Sequence, residues 1–140
     1  MYNTNNISPI LLKWYDHNKR DLPWRKTKLF YHVFLSEVML QQTQVKTVIP
    51  FYTKWLKKFP SIESVSLADI DELLKLWEGL GYYSRCLNFH KSCIILFNKY
   101  NSQLPENEFD FLKLPGVGNY ISSAVYSIVA KESIPAIDTN

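Results

Sequence analysis

Residues 114–131 read LPGVGNYISSAVYSIVAK, a proline-glycine turn followed at once by an apolar stripe of helical period. Ile121, Ala124, Val125 and Ile128 recur at steps of three and four, which places them on one face of a helix over 120–131. Gly116 and Gly118 stand just before it. Without side chains they let the backbone turn through positive φ and leave bare amides beside a helix N-terminus. The arrangement occurs a second time: Gly79-Leu80-Gly81 ends a helix carrying Ile70, Leu73, Leu74 and Trp77 and introduces one over 83–100 with Leu87, Cys93, Ile94 and Phe97 inward. These two pairs use all four glycines of the chain. Such a hinge serves either as an anion seat or as a plain turn between helices, and the spacing alone accommodates both.

Outward from these hinges the helical period continues. Ser8-Pro9 reads as a cap and first-turn residue for a helix bearing Ile10, Leu11, Trp14 and Tyr15. Phe30, Val33, Phe34 and position 37 make a stripe over 30–40. Val45, Val48, Ile49, Tyr52, Trp55 and Leu56 make another over 44–58, which Pro50 is expected to kink. Asp69 and Glu72 have capping-box spacing, and a short turn near Asp110 leads into the second hinge. No alternating pattern argues for a strand, so the expected class is all-α.

Composition narrows the class. The chain has 140 residues, 46% hydrophobic and 21% charged, which suits one folded domain and excludes disordered or fibrous chains. No run of 18 apolar residues occurs and residues 1–6 are polar, so neither a membrane span nor a signal peptide is expected and the cytoplasm is the default location. Cys86 and Cys93 lie about 10 Å apart along a helix axis, too far for a disulfide, and two cysteines alone do not make a zinc site. They read as small core residues in a reducing compartment. Sixteen Lys and Arg against thirteen Asp and Glu leave a net charge of +3, compatible with a polyanionic partner without requiring one.

Glu37 stands out by pattern, in the core stripe of its helix and followed by Val38-Met39-Leu40. A carboxyl there loses hydration, which favours the protonated form that a general acid needs; equally, a glutamate near a helix end can reach water or pair with an arginine. Asp138 closes the apolar run Ile134-Pro135-Ala136-Ile137 with no following helix to cap. Two carboxyls in different surroundings, one neutral and one ionised, are what glycosidic cleavage through an oxocarbenium-like state uses. Gln41, Gln42 and Gln44, and Tyr82-Tyr83 after the first hinge, are flat side chains able to stack on bases, or simply polar and half-buried surface groups.

The blocks LPWR (22–25), SEVMLQQTQV (36–45), WEGLGYYSR (77–85) and LPGVG (114–118), with Asp138, resemble the signature of the helix-hairpin-helix DNA glycosylases. The likeness is specifically to the MutY-type adenine glycosylases and runs over essentially the whole chain. It implies a helical barrel and removal of adenine mispaired with 8-oxoguanine or guanine in duplex DNA, after the base is flipped out. By the resemblance, Glu37 protonates the leaving base and helps activate water, Asp138 stabilises the sugar cation, and Tyr120 stands where bifunctional relatives carry a Schiff-base lysine. Trp24, Arg25, Leu40 and Val45 match adenine-pocket positions, with Arg20 beside them. Gln41, Gln42 and Thr43, and Leu80, Gly81 and Tyr82, match DNA contacts, Gln42 and Tyr82 filling the base stack. Leu114, Gly116, Val117 and Gly118 match a hairpin whose amides hold a phosphate and whose Leu114 and Val117 carbonyls face a monovalent cation.

Two departures accompany the match. Thr139 follows Asp138 where the family has glycine, and a β-branched residue resists positive φ. Relatives also continue into four cysteines that hold a 4Fe–4S cluster and a domain that reads 8-oxoguanine, and Cys86 and Cys93 match none of those ligands. The expected organisation is therefore a barrel truncated before the iron–sulfur segment. Residues 1–22 form the N-terminal helix of an incomplete cluster domain, 23–133 the catalytic domain, and 134–140 the segment with the aspartate. That helix should expose an apolar patch that later segments cover. The implied partner is double-stranded DNA, with no membrane and either a separate chain completing the fold or a monomer. Two other readings share the motifs: a noncatalytic helix-hairpin-helix DNA-binding fragment, and a bifunctional pyrimidine glycosylase-lyase.

Overall fold

The structure, a computed structural model, describes residues 7–131. Among these, eight α-helices and no strand are found: α1 (Ile7–Asn18), α2 (Phe30–Leu40), α3 (Val45–Lys58), α4 (Ile62–Ser66), α5 (Ile70–Trp77), α6 (Ser84–Tyr100), α7 (Glu108–Leu112) and α8 (Asn119–Val129). A single 3-10 turn over Pro23–Arg25 joins α1 to α2. No helix is long and apolar enough to cross a membrane.

α2 is the axis of the fold. It packs against α3, α6, α8 and the 3-10 turn, and Tyr31, Val33, Phe34, Leu35, Ser36, Val38 and Met39 are all buried, so most of its circumference is covered. A helix apolar nearly all round can be stable only in such a central position. Aromatic rings fill the space beside it. Phe34 lies 5.1 Å from Phe89 and 5.3 Å from Phe111 between ring centres, and Trp55 lies 5.7 Å from Trp77, edge on. Such contacts add about 0.5–1.5 kcal/mol each to the burial itself. Two polar side chains among these rings satisfy each other in a chain: Trp55 Nε1 donates to Tyr31 Oη at 3.0 Å, which donates to the Phe59 carbonyl at 2.6 Å. Burial pushes the Tyr31 phenol well up, so that proton stays.

Several local expectations are corrected. α1 already includes Ile7, the first described residue, so Ser8 lies inside the helix and is not its cap. α3 runs unbroken through Pro50, whose missing N–H leaves the Lys46 carbonyl without its intrahelical donor. The short α4 has no counterpart in the periodicity reading; the capping box sits at its start, between Ser61 and Ser64, while Asp69 caps α5 through the Asp71 amide at 2.9 Å without a reciprocal bond from Glu72. In α6 the buried face is Cys86, Phe89, Cys93 and Leu96, rotated from the expected one, and Leu87 is 39% exposed. Ile128 likewise faces outward at the end of α8. α1 buries none of its residues, and Ile10, Leu11 and Trp14 are exposed.

Candidate active site

Between α1, the 3-10 turn, α2 and the starts of α3, α6 and α8 lies an open cleft of about 1460 Å³. Glu37 lines it from the last turns of α2. It is half-buried between the fully packed Ser36 and Val38, so α2's burial fixes the backbone that carries the carboxyl. Tyr120 lines it too, from the first turn of α8, behind the second glycine hinge. Trp24, Arg25, Arg20, Leu40 and Val45 line the same cleft, as do Gln41, Gln42, Thr43 and Tyr82. Trp24 is held by an edge contact to Tyr52 at 5.4 Å, whose phenol burial pushes up to about 12. Arg25 stacks over Tyr15 at 5.7 Å and reaches the Arg20 carbonyl at 3.4 Å, which brings the end of α1 to the rim.

The cleft is electrically lopsided. Its lining carries Arg20, Arg25, Lys28, Lys46 and Arg85 against the one carboxyl of Glu37. The described ion pairs, Lys19 with Asp16, Lys26 with Asp21 and Lys113 with Asp110, involve none of these cations. A concave wall of one sign concentrates anions at its mouth.

Two turns edge the cleft, and both take a backbone conformation that L-residues avoid. Gln42 has φ 55° and Tyr82 has φ 47°; Gln42 is exposed and Tyr82 is 61% exposed. Strain of this kind is kept only where the surroundings enforce it. The enforcing group is Arg85, 8% exposed at the start of α6. Its Nη1 donates to the carbonyls of Val38 at 3.2 Å, Met39 at 2.7 Å and Gln41, and its Nη2 to Thr43 Oγ1 at 3.0 Å and to the carbonyls of Leu80 at 3.3 Å and Gly81 at 3.1 Å. Burial lowers the affinity of the guanidinium for its proton, and the neighbouring Tyr82 opposes that. Sequence reasoning missed this role of Arg85. The signal was available: α2 ends in carbonyls without intrahelical donors and runs straight into an extended Gln41, so a buried donor had to come from elsewhere.

The remaining candidates lie away from the cleft lining. Leu80 is buried, so in this hinge only backbone and Tyr82 face outward. Leu114 and Val117 are buried side chains too, and their Leu114 carbonyl accepts the Val117 amide at 3.1 Å, closing the second turn. Gly116 has φ 77°, as the hinge reading requires, but Gly118 has φ −95° and ψ 179°, an ordinary extended cap for α8. Ser92 Oγ donates to the Pro115 carbonyl at 2.8 Å and anchors the turn to α6. Asp138 and Thr139 lie outside the described residues.

Iron–sulfur ligation does not fit what is described. Cys86 and Cys93 are buried free thiols; burial pushes Cys86 up to about 12 and also raises Cys93 well above the ordinary thiol value, away from the thiolate a cluster needs. Among the described residues no group of three or more His, Cys, Asp or Glu is placed to hold a metal.

The adenine DNA glycosylase of Buchnera aphidicola subsp. Baizongia pistaciae is 46% identical over 84% of this chain and 34% of its own length, and that of Homo sapiens 40% over 93% and 26%. The chain thus spans about a quarter to a half of the length of such relatives. Among solved structures, a thermostable thymine-DNA glycosylase superposes with a TM-score of 0.85 at 26% identity, over 91% of this chain and 59% of that one. An endonuclease III–DNA covalent intermediate shares the fold at a TM-score of 0.83 and 22% identity, over 99% of this chain and 66% of that one. The family model for base excision repair proteins of the HhH-GPD superfamily takes in residues 35–140, from the middle of α2 through both glycine hinges and beyond α8. The chain belongs to the HhH-GPD superfamily of base excision DNA repair proteins.

Proposed function

We propose that this chain carries the base-excising core of an adenine-specific DNA glycosylase, which hydrolyses the N-glycosidic bond of adenine mispaired with 8-oxoguanine or guanine. The observation that carries the reading is that Glu37 and Tyr120, from opposite ends of the sequence, line one basic cleft edged by the Gln42 and Tyr82 turns. Names of the sequence relatives, all adenine DNA glycosylases among those compared, support the same substrate.

The chemistry follows from the placement. Gln42 and Tyr82 enter the base stack while the adenine swings into the cleft beside Trp24, Leu40 and Val45. Glu37, protonated, donates to a ring nitrogen of adenine; the bond from the sugar C1′ to the base breaks with its electron pair going to the base. The oxocarbenium ion left behind is attacked by water, whose proton returns to the Glu37 carboxylate, and Asp138 is the anion assigned to steady that cation. Tyr120 sits in the lyase-lysine position. A phenol cannot form a Schiff base, so the reaction stops at an abasic site and the enzyme is monofunctional. Phosphate is held by the amides after Gly116 at the start of α8, and the carbonyls of Leu114 and Val117 are oxygen donors of the kind a monovalent cation takes; no step runs through that ion.

Single-turnover excision on a duplex with adenine opposite 8-oxoguanine tests this. The native chain is expected to give alkali-labile abasic product and Glu37→Gln at least about a hundredfold less, the usual weight of a general acid. Absence of product from both proteins refutes catalysis by this chain and leaves a DNA-binding module.

A further inference from the structure

We infer that Arg85 is a positioning residue that locks the Gln41–Thr43 turn and the Leu80–Tyr82 turn into one rigid edge, so that both enter a DNA stack together; the inference rests on the function proposed above. The two turns come from sequence positions some forty residues apart, and among the described hydrogen bonds those of Arg85 are what joins them. One guanidinium reaches both sides at once. Its Nη1 closes the end of α2, and its Nη2 is shared between Thr43 Oγ1 in the first turn and the Leu80 and Gly81 carbonyls in the second. The group also lies over two rings, 5.4 Å from the centre of Trp77 and 5.6 Å from that of Tyr82.

The two left-handed residues explain why such a lock is needed. Gln42 and Tyr82 each follow directly on a carbonyl that Arg85 engages, at Gln41 and Gly81. Left alone, each would relax toward negative φ and draw its side chain back from the edge. A planar fork can hold two separated turns in register; an ammonium, with its donors on one atom, cannot span them. Exposed charges elsewhere along the cleft are then responsible for holding the duplex, and Arg85 for the shape of what is pushed into it.

The test compares Arg85→Lys with the native chain, using Leu96→Ala on the inner face of α6 as a control for general destabilisation. Amide hydrogen exchange is read at Thr43 and Leu80, whose own bonds close the two turns. In Arg85→Lys both amides should exchange faster together, by roughly ten- to a hundredfold beyond any change in the α6 core, as loss of charge-assisted bonds requires. In Leu96→Ala they should follow the core. On a duplex with 2-aminopurine in the adenine position, Arg85→Lys should bind within about threefold of the native affinity but lose most of the fluorescence rise that reports extrusion. Unchanged exchange, acceleration of one turn alone, or full extrusion by Arg85→Lys overturns the inference. If the native chain itself gives no fluorescence rise, the proposed function fails, while the exchange data still decide whether Arg85 locks the turns. Should Arg85→Lys not fold, Thr43→Val removes one acceptor from the bridge and should still quicken exchange at Leu80, across the bridge; no change there also overturns the inference.

Discussion

The two glycines of the Gly116-Val117-Gly118 hinge should respond oppositely to the same substitution. A methyl on Gly116 meets Asn88 Cβ at 3.0 Å, the root of a side chain on α6, and φ 77° is imposed on an L-residue. Left-handed backbone costs about 1–2 kcal/mol. Forcing a methyl against a fixed Cβ adds about 1 kcal/mol or more. Gly116→Ala is therefore expected to lose about 2–3 kcal/mol, or roughly 6–9 °C in Tm at about 3 °C per kcal/mol for a chain of this size. At Gly118 the backbone is extended and a Cβ finds nothing within 4 Å. Alanine there restricts only the unfolded chain and should raise stability by about 0.4–1 kcal/mol. Yet Gly118 caps α8, where the proposed phosphate approaches, so Gly118→Ala should weaken duplex binding while stabilising the fold. Urea unfolding followed by tryptophan fluorescence gives the first quantity, and anisotropy of a labelled duplex the second. A Gly118→Ala chain that is destabilised by more than 1 kcal/mol, or stable with undiminished affinity, would refute the assignment of that hinge to phosphate.

Other outcomes follow from the same geometry. Log affinity for DNA should fall with log salt by about 0.9 for each phosphate contact, and Lys46→Gln should lower that slope by about one contact, read by anisotropy from 50 to 200 mM salt. Borohydride should trap no covalent DNA adduct with Tyr120 in place; an adduct from the native chain would favour the lyase reading. Stability should decline above about pH 9. Cys86 holds its proton up to about 12 in the fold against an ordinary thiol value of 9.0, so between those values the unfolded chain releases a proton that the native one keeps. The slope for this one group approaches about 1.4 kcal/mol per pH unit, and Cys86→Ala should flatten the pH dependence of the urea midpoint.

How far the sequence announced this structure depends on the scale of the signal. Helix existence was legible because apolar residues at steps of three and four survive any tertiary context, as in α2, α3, α5 and α8. α4 was not: five residues hold too few turns for a period, and Ser61 and Ser64 make their capping box with side chains that also suit a loop. The face of α6 was misread by about one position because Arg85 and Ser92, both polar, belong to its inside while Leu87 does not. Burial of a polar residue is set by the partner that satisfies it, and that partner comes from another helix. Of the cleft residues, Glu37 is marked by its place in the stripe of α2, Gln42 and Tyr82 by the motif blocks, and Tyr120, which lies outside those blocks, by the family resemblance alone. What the blocks do not convey is that three of the hydrophobics they point to for DNA, Leu80, Leu114 and Val117, have buried side chains, so under the proposed function only their backbone is open to a duplex.

Physically, the centre of the molecule and its edge are held by different means. α2 is surrounded by rings and aliphatic groups, so the carboxyl of Glu37 is set by packing that tolerates no slack. At Gln41 the helix stops without a glycine, its last carbonyls taken up by Arg85 from α6, and the chain turns through a left-handed glutamine. A glycine at 42 would relieve that strain, since it adopts φ 55° freely. Gln42→Gly should then leave Tm unchanged or raise it by a few degrees while reducing adenine excision, because the turn keeps its shape and loses the side chain that enters the stack. Thermal unfolding beside single-turnover excision separates the two. Equal excision by Gln42→Gly would mean that the turn's strain has no purpose in handling DNA, and the role given to this edge would have to be withdrawn.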